Sequence, residues 1–197
     1  MRRPELTRIT GASVEHYPPG QAALAPDAGD FILTHGSAFF SRLIRFGEAL
    51  HLHGAARRFA YWNHAALITG AGGSLIEATG NGVRRGNLSE YTPVDYYLVR
   101  TGASEEDREE VVAFGEWAAD AHAKYGWLTI ASIMLSLLTG CKLTFFIDGE
   151  FICSGLVARA QERTTALFGL DPVHITPADL AMYYGVPGHG EEAAAAA

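Results

Sequence analysis

Two short runs of strand character, residues 64–69 and 74–78, flank the link Gly70-Ala71-Gly72-Gly73. A glycine-rich link of this length is a hairpin signal, and it is too short for the crossover that a parallel pair needs. The chain is therefore committed to antiparallel pairing near its middle. Alternation along the first run places His64, Ala66 and Ile68 on one face. The return run carries Glu77, which folding about the glycines brings level with His64 or one step along from it.

The rest of the chain supplies elements around that hairpin. Residues 31–34 read as a short apolar strand opened by Gly29-Asp30, and residues 82–87 and 96–100 read as two more. Helical spacing of Phe40, Leu43, Ile44 and Leu50 predicts a helix over 37–50, followed by a loop over 51–61. Ser104 with Glu105, Glu106 and Asp107 resembles an N-cap with an acidic first turn. Its helix is expected to run to about residue 124 and to bury Val111, Val112, Phe114 and Trp117. Further helices are predicted over 128–138, from Cys153 to about 163, and over 177–183, where Thr176-Pro177 forms a cap and first-turn pair. Residues 142–147 read as strand-like or irregular.

Residues 1–28, with Pro18, Pro19, Gly20 and Pro26, read as an arm or extended segment, and residues 188–197 as a flexible tail. The expected fold class is α+β, one domain over 29–187.

At 197 residues, 48% hydrophobic and 19% charged, the chain has the composition of one folded domain. A net charge of −7 disfavours nucleic-acid binding, and Arg57-Arg58 and Arg84-Arg85 read as solvated edges. The apolar run at 128–138 is shorter than the roughly 18–20 residues that span a bilayer, so it reads as a buried helix and no transmembrane segment is expected. Met1-Arg2-Arg3 precedes no apolar signal region, which makes a cytoplasmic protein the expectation, with delivery in a phage particle as the other route.

Of the two cysteines, Cys141 reads as a small packed residue. Cys153 sits differently: Ser154 and Gly155 follow it, and then the apolar positions Leu156, Val157 and Ala160 begin. A thiol at a loop-to-helix junction faces backbone N–H groups and the positive end of the helix dipole, which favour the nucleophilic thiolate. Such a nucleophile needs a base, and the base an orienting partner. Among eight histidines, His64 opens a strand beside the small Ala65 and Ala66, and Glu77 stands across the hairpin to hold one ring nitrogen.

The stretch Ile152-Cys153-Ser154-Gly155-Leu156-Val157 resembles the nucleophile motif of NlpC-type cysteine peptidases in the papain-like superfamily. In that superfamily the cysteine helix usually precedes the Gly-Asp and histidine strands. Here Gly29-Asp30, the His64 strand and the Glu77 strand come first, and Tyr125-Gly126, Cys153 and Pro177-Ala178-Asp179-Leu180 follow. Over residues 29–184 the order resembles the circularly permuted papain-like amidases, the YaeF/YiiX-like branch of the NlpC superfamily.

The resemblance implies a small antiparallel sheet packed against helices, with Cys153 as nucleophile, His64 as base and Glu77 as orienting residue. It gives Tyr125 and Ser154 supporting roles near the oxyanion, for which the Cys153 N–H is the leading donor. The implied activity is thiol hydrolysis of an amide or related acyl bond through a thioester. Cell-wall peptide is the leading substrate, and no cofactor is required.

Three other readings compete. Permuted relatives of lecithin:retinol acyltransferase also place histidine before cysteine, and the run at 128–138 suits a lipid-like substrate, but their Asn-Cys-Glu-His-Phe motif is absent. His51-Leu52-His53 has the spacing of two metal ligands on a strand, yet lies in an expected loop with no acidic or thiol partner nearby. A papain-like groove without activity would be a peptide-binding module.

Overall fold

A computed structural model describes residues 9, 11–35, 54–79, 82–121, 124–125, 150–151, 153–164, 166 and 168–188. The expected helices at 37–50 and 128–138, the segment 142–147, Cys141, and His51 and His53 lie outside the described residues, as does the tail from 189.

The described chain is α+β. Its strands are β1 (Ser13–Tyr17), β2 (Phe31–Thr34), β3 (His64–Ile68), β4 (Ser74–Thr79), β5 (Gly82–Asn87) and β6 (Tyr96–Arg100). They form one six-stranded sheet in the order β1-β6-β2-β3-β4-β5, antiparallel at each pairing. A parallel pair, β7 (Lys124–Tyr125) and β8 (Glu150–Phe151), forms a second sheet. The helices are α1 (Glu105–Asp120), α2 (Cys153–Gln161) and α3 (Pro177–Tyr184).

The sequence runs in the central strands are apolar without alternation because both sheet faces are covered. On one face Phe31, Leu33, Ala65, Leu67, Ile76 and Val99 pack with Val111 and Phe114 of α1, Leu156 and Val157 of α2, and Leu180 and Tyr184 of α3. On the other, Ile32, Ala66, Ile68, Leu75, Tyr96 and Leu98 form a second layer, closed over by Tyr17, Ala23 and Tyr91. The hairpin closes as expected, with Gly73 N–H donating to the Gly70 carbonyl at 2.9 Å. Gly73 has φ +78°, a left-handed conformation that disfavours any residue with a Cβ.

The caps also form where the sequence places them. The Ser104 hydroxyl accepts from Asp107 N–H at 3.1 Å. Thr176 and Asp179 make a reciprocal capping box ahead of α3, with Pro177 at its start.

Several expectations need correction. Within segment 1–28, read as an arm or extended segment, Ser13–Tyr17 is extended as β1 and pairs along β6 from Ser13–Arg100 to Tyr17–Tyr96. Helix α1 ends at Asp120 rather than near 124. Within it Val111 and Phe114 are buried, but Val112 is half-buried and Trp117 is 56% exposed. The buried stripe of α1 runs instead through Val111, Phe114, Gly115, Ala118 and Ala119, spaced three or four apart. Gly115 lets the helix approach the sheet: a Cβ there would stand 3.0 Å from the Leu67 side chain.

Gly29-Asp30 is a structural hub. Asp30 is fully buried and accepts from the N–H groups of Thr101 at 3.1 Å and Asp27 at 3.2 Å, with the Arg108 guanidinium 3.4 Å away. Burial pushes its carboxyl above the ordinary value, and those N–H donors and the two arginines Arg108 and Arg100 pull against that. The side-chain amide of Gln161, at the far end of α2, donates to the Gly29 carbonyl at 2.7 Å. The start of β2 therefore anchors the C-terminal end of the cysteine helix.

Candidate active site

Strand alternation sends His64, Glu77 and Arg84 to the sheet face opposite α1, α2 and α3. His64 shares its face with Ala66 and Ile68, Glu77 shares it with Leu75, and Arg84 stands directly across from Glu77 in the β4–β5 register. Pairing of β3 with β4 is confined to Leu67–Ile76 and Ile68–Leu75. Toward His64 the ladder opens, and Cys153, the first residue of α2, enters there. The Ala65 N–H, freed from the ladder, is directed at the Cys153 sulfur, as is the N–H of Ser154.

His64 lies between the thiol and the carboxylate. Its Nε2 is 2.5 Å from Glu77 Oε2 and 3.0 Å from the Tyr91 hydroxyl, and its side chain also hydrogen-bonds Cys153. Because Nε2 is occupied by the Glu77 pair, Nδ1 is the nitrogen left to the thiol. The protons can be assigned from the partners. Ionised Glu77 only accepts, so Tyr91 donates to Oε2 at 2.6 Å and Nε2 carries the other proton on that oxygen. The remaining oxygen, Oε1, is 2.5 Å from the Arg84 guanidinium, and Glu90 lies on the other side of Arg84 at 2.9 Å.

Electrostatics follow from this arrangement. Burial pushes the Cys153 thiol up, but the His64 hydrogen bond and positive charge, with the Ala65 and Ser154 N–H groups, outweigh it and leave the thiol below its ordinary value. Burial pushes His64 down, and the hydrogen bonds to Cys153 and Glu77 reverse that, leaving it above its ordinary value. Burial likewise acts against Glu77, 2% exposed, yet His64, Tyr91 and Arg84 hold its carboxyl at about 2. Tyr91 is pushed up by burial and by the adjacent Glu77 charge, so it stays a hydroxyl. The lowered thiol and the raised imidazole both act toward a thiolate–imidazolium pair, aided by the N-terminus of the nine-residue α2.

The expected site residues divide. Cys153, His64 and Glu77 are brought together. The Ser154 hydroxyl is buried and donates to the Ile175 carbonyl at 2.7 Å, tying α2 to the turn before α3, so only its backbone N–H faces the thiol. Tyr125 lies in β7 beside Phe151 of β8, two residues ahead of Cys153. The Cys153 N–H begins α2, where helical geometry supplies no carbonyl four residues back.

Two further residues complete the site, Arg84 and Tyr91. Arg84, expected with Arg85 as a solvated edge, is instead an ion-pair partner of buried Glu77, while Arg85 alternates to the other face and pairs with Glu116 and Asp120 at 2.6 Å. Tyr91 closes a short 3-10 turn, Leu88–Tyr91, whose capping box joins Asn87 and Glu90. That Asn-x-x-Glu spacing was the available signal for the turn. Among the described residues no group of three or more metal-ligating side chains is assembled. No described helix is long and apolar enough to cross a membrane.

Compared with known proteins, the chain matches no family model and no curated protein.

Proposed function

We propose that this protein is a cysteine hydrolase of permuted papain-like architecture, cleaving an amide or related acyl bond through a thioester. The observation that carries the reading is the position of His64 between the Cys153 sulfur and the buried Glu77 carboxylate. The resemblance to the permuted papain-like amidases adds cell-wall peptide as the substrate class.

In the proposed reaction the Cys153 thiolate attacks the carbonyl carbon, and its electrons move onto the carbonyl oxygen. The Cys153 N–H stabilises that oxyanion, a contribution of about 3–4 kcal/mol per donor where one has been removed by mutation. The tetrahedral intermediate collapses as Nδ1 of His64 gives its proton to the leaving amine, leaving a Cys153 thioester and neutral His64. Water then gives a proton to His64 as its oxygen attacks the thioester, and collapse releases the acid and the thiolate. Glu77 stabilises the imidazolium in each proton transfer and accepts none itself.

Incubation with cell-wall and lipid extracts, followed by mass spectrometry, tests the proposal. An acyl group of peptide or lipid mass on Cys153, lost in Cys153→Ala along with turnover, is the expected result. Full activity in correctly folded Cys153→Ala would overturn the nucleophile assignment. A lipid adduct would redirect the substrate class to acyl-lipid chemistry. A Cys153 labelled no faster than an ordinary thiol by a thiol probe would point to a binding module.

A further inference from the structure

We propose that Arg84 is a positioning residue that divides the negative charge of Glu77 with His64 and thereby sets the pH range over which the imidazolium persists. The inference rests on the reading of Glu77 as the partner of His64 in the active site.

Glu77 is 2% exposed, so water cannot take up its charge, and its two oxygens serve different cations from different strands. His64 of β3 takes Oε2 at 2.5 Å, and Arg84 of β5 takes Oε1 at 2.5 Å. The β4–β5 register sets Arg84 directly opposite Glu77. Behind Arg84 stands Glu90, 2.9 Å away and itself held by the Asn87 N–H at 2.8 Å. Charges therefore alternate from the surface inward through Glu90, Arg84, Glu77, His64 and Cys153.

A cation on Oε1 draws carboxylate charge away from Oε2 and repels the imidazolium beyond it. Both effects lower the affinity of His64 for its proton, moderating what Glu77 does alone. Such moderation suits a base that must also release its proton to a leaving group.

The groups acting on His64 can be named by element. Cys153 of α2, Glu77 of β4 and the Tyr91 hydroxyl from the 3-10 turn surround the ring, and Arg84 and Glu90 stand behind Glu77. Arg85 cannot replace Arg84, because alternation sends it across the sheet to Glu116 and Asp120.

The test follows the ring-nitrogen shifts of isotope-labelled His64 against pH in the full chain, assigned by difference from His64→Gln. Titration in the Cys153→Ala background removes the thiolate and leaves His64 answering to Glu77, Tyr91 and Arg84. Arg84→Met is expected to raise the His64 midpoint by about half to one pH unit, the size of a screened charge about two groups away. Arg84→Lys, which keeps the charge, is expected to restore it, and Glu77→Gln to lower it.

A midpoint that stays or falls in folded Arg84→Met overturns the role of Arg84. The proposed nucleophile fails separately: if the His64 midpoint is the same with and without Cys153, no thiolate partners the ring, whatever Arg84 does.

Discussion

The charge network makes a stability prediction centred on Glu77→Gln. Ionised Glu77 accepts from Tyr91 and His64 and pairs with Arg84, and its carboxyl sits at about 2 against an ordinary value of 4.5. That difference corresponds to about 3 kcal/mol favouring the folded protein. Solvent screening removes little of it, since Glu77 is 2% exposed, although the share from Arg84 is weakened because that side chain is 46% exposed.

The sign follows from the depressed value. The stabilisation is fully present above pH 4.5 and is lost as pH falls through 4.5 toward 2. Glutamine is nearly isosteric with protonated glutamic acid, so the variant imitates the acid-titrated wild type. Urea unfolding of both proteins across a pH series should show a gap of about 3 kcal/mol near pH 6 that closes toward pH 2. His64 adds a second limb. Its raised value gives stability present below its ordinary 6.5 and lost as pH rises through the higher folded value, so the gap should also narrow at alkaline pH. A gap that is constant with pH, or absent at pH 6, would refute the assignment of Glu77 as a buried, paired carboxylate.

Three further outcomes are expected. Asp30→Ala strands two backbone N–H donors and takes the carboxylate from Arg108, and thermal unfolding should report a loss of about 3–5 kcal/mol. Tyr184→Phe removes a buried hydroxyl with no partner among the described residues. It should raise stability by about 1 kcal/mol in the same assay, and a loss of that size would reveal a partner. Trp117→Gln, on the exposed flank of α1, should leave stability within about 0.5 kcal/mol of wild type by urea unfolding.

How far the sequence could be read depended on the range of each interaction. Thr176-Pro177 and Ser104 announce helix starts because capping acts over three or four residues, and both caps form. The four central glycine-rich residues announce a hairpin for the same reason. Helical spacing marks a stripe without marking its width, so it does not separate Trp117 from the buried positions of α1. Val111, Phe114 and Ala118 meet the sheet and α2, while Trp117 stacks on Phe114 from outside at 5.8 Å. An arginine pair on a strand splits between two faces, and the partners of Arg84 and Arg85 depend on what those faces meet.

The chain alone determined that the Glu77 run returns antiparallel to the His64 run, because the hairpin link is too short for a crossover, and that Cys153 begins a helix. Local geometry is enough for both. That Cys153 reaches His64 at all was decided only by the tertiary structure: α2 lies on one sheet face, His64 and Glu77 on the other, and they meet where the β3–β4 ladder opens. The state of the carboxylate was decided there too. Burial, the Tyr91 hydroxyl and the cross-strand Arg84 act through space, over separations that no local pattern of residues encodes.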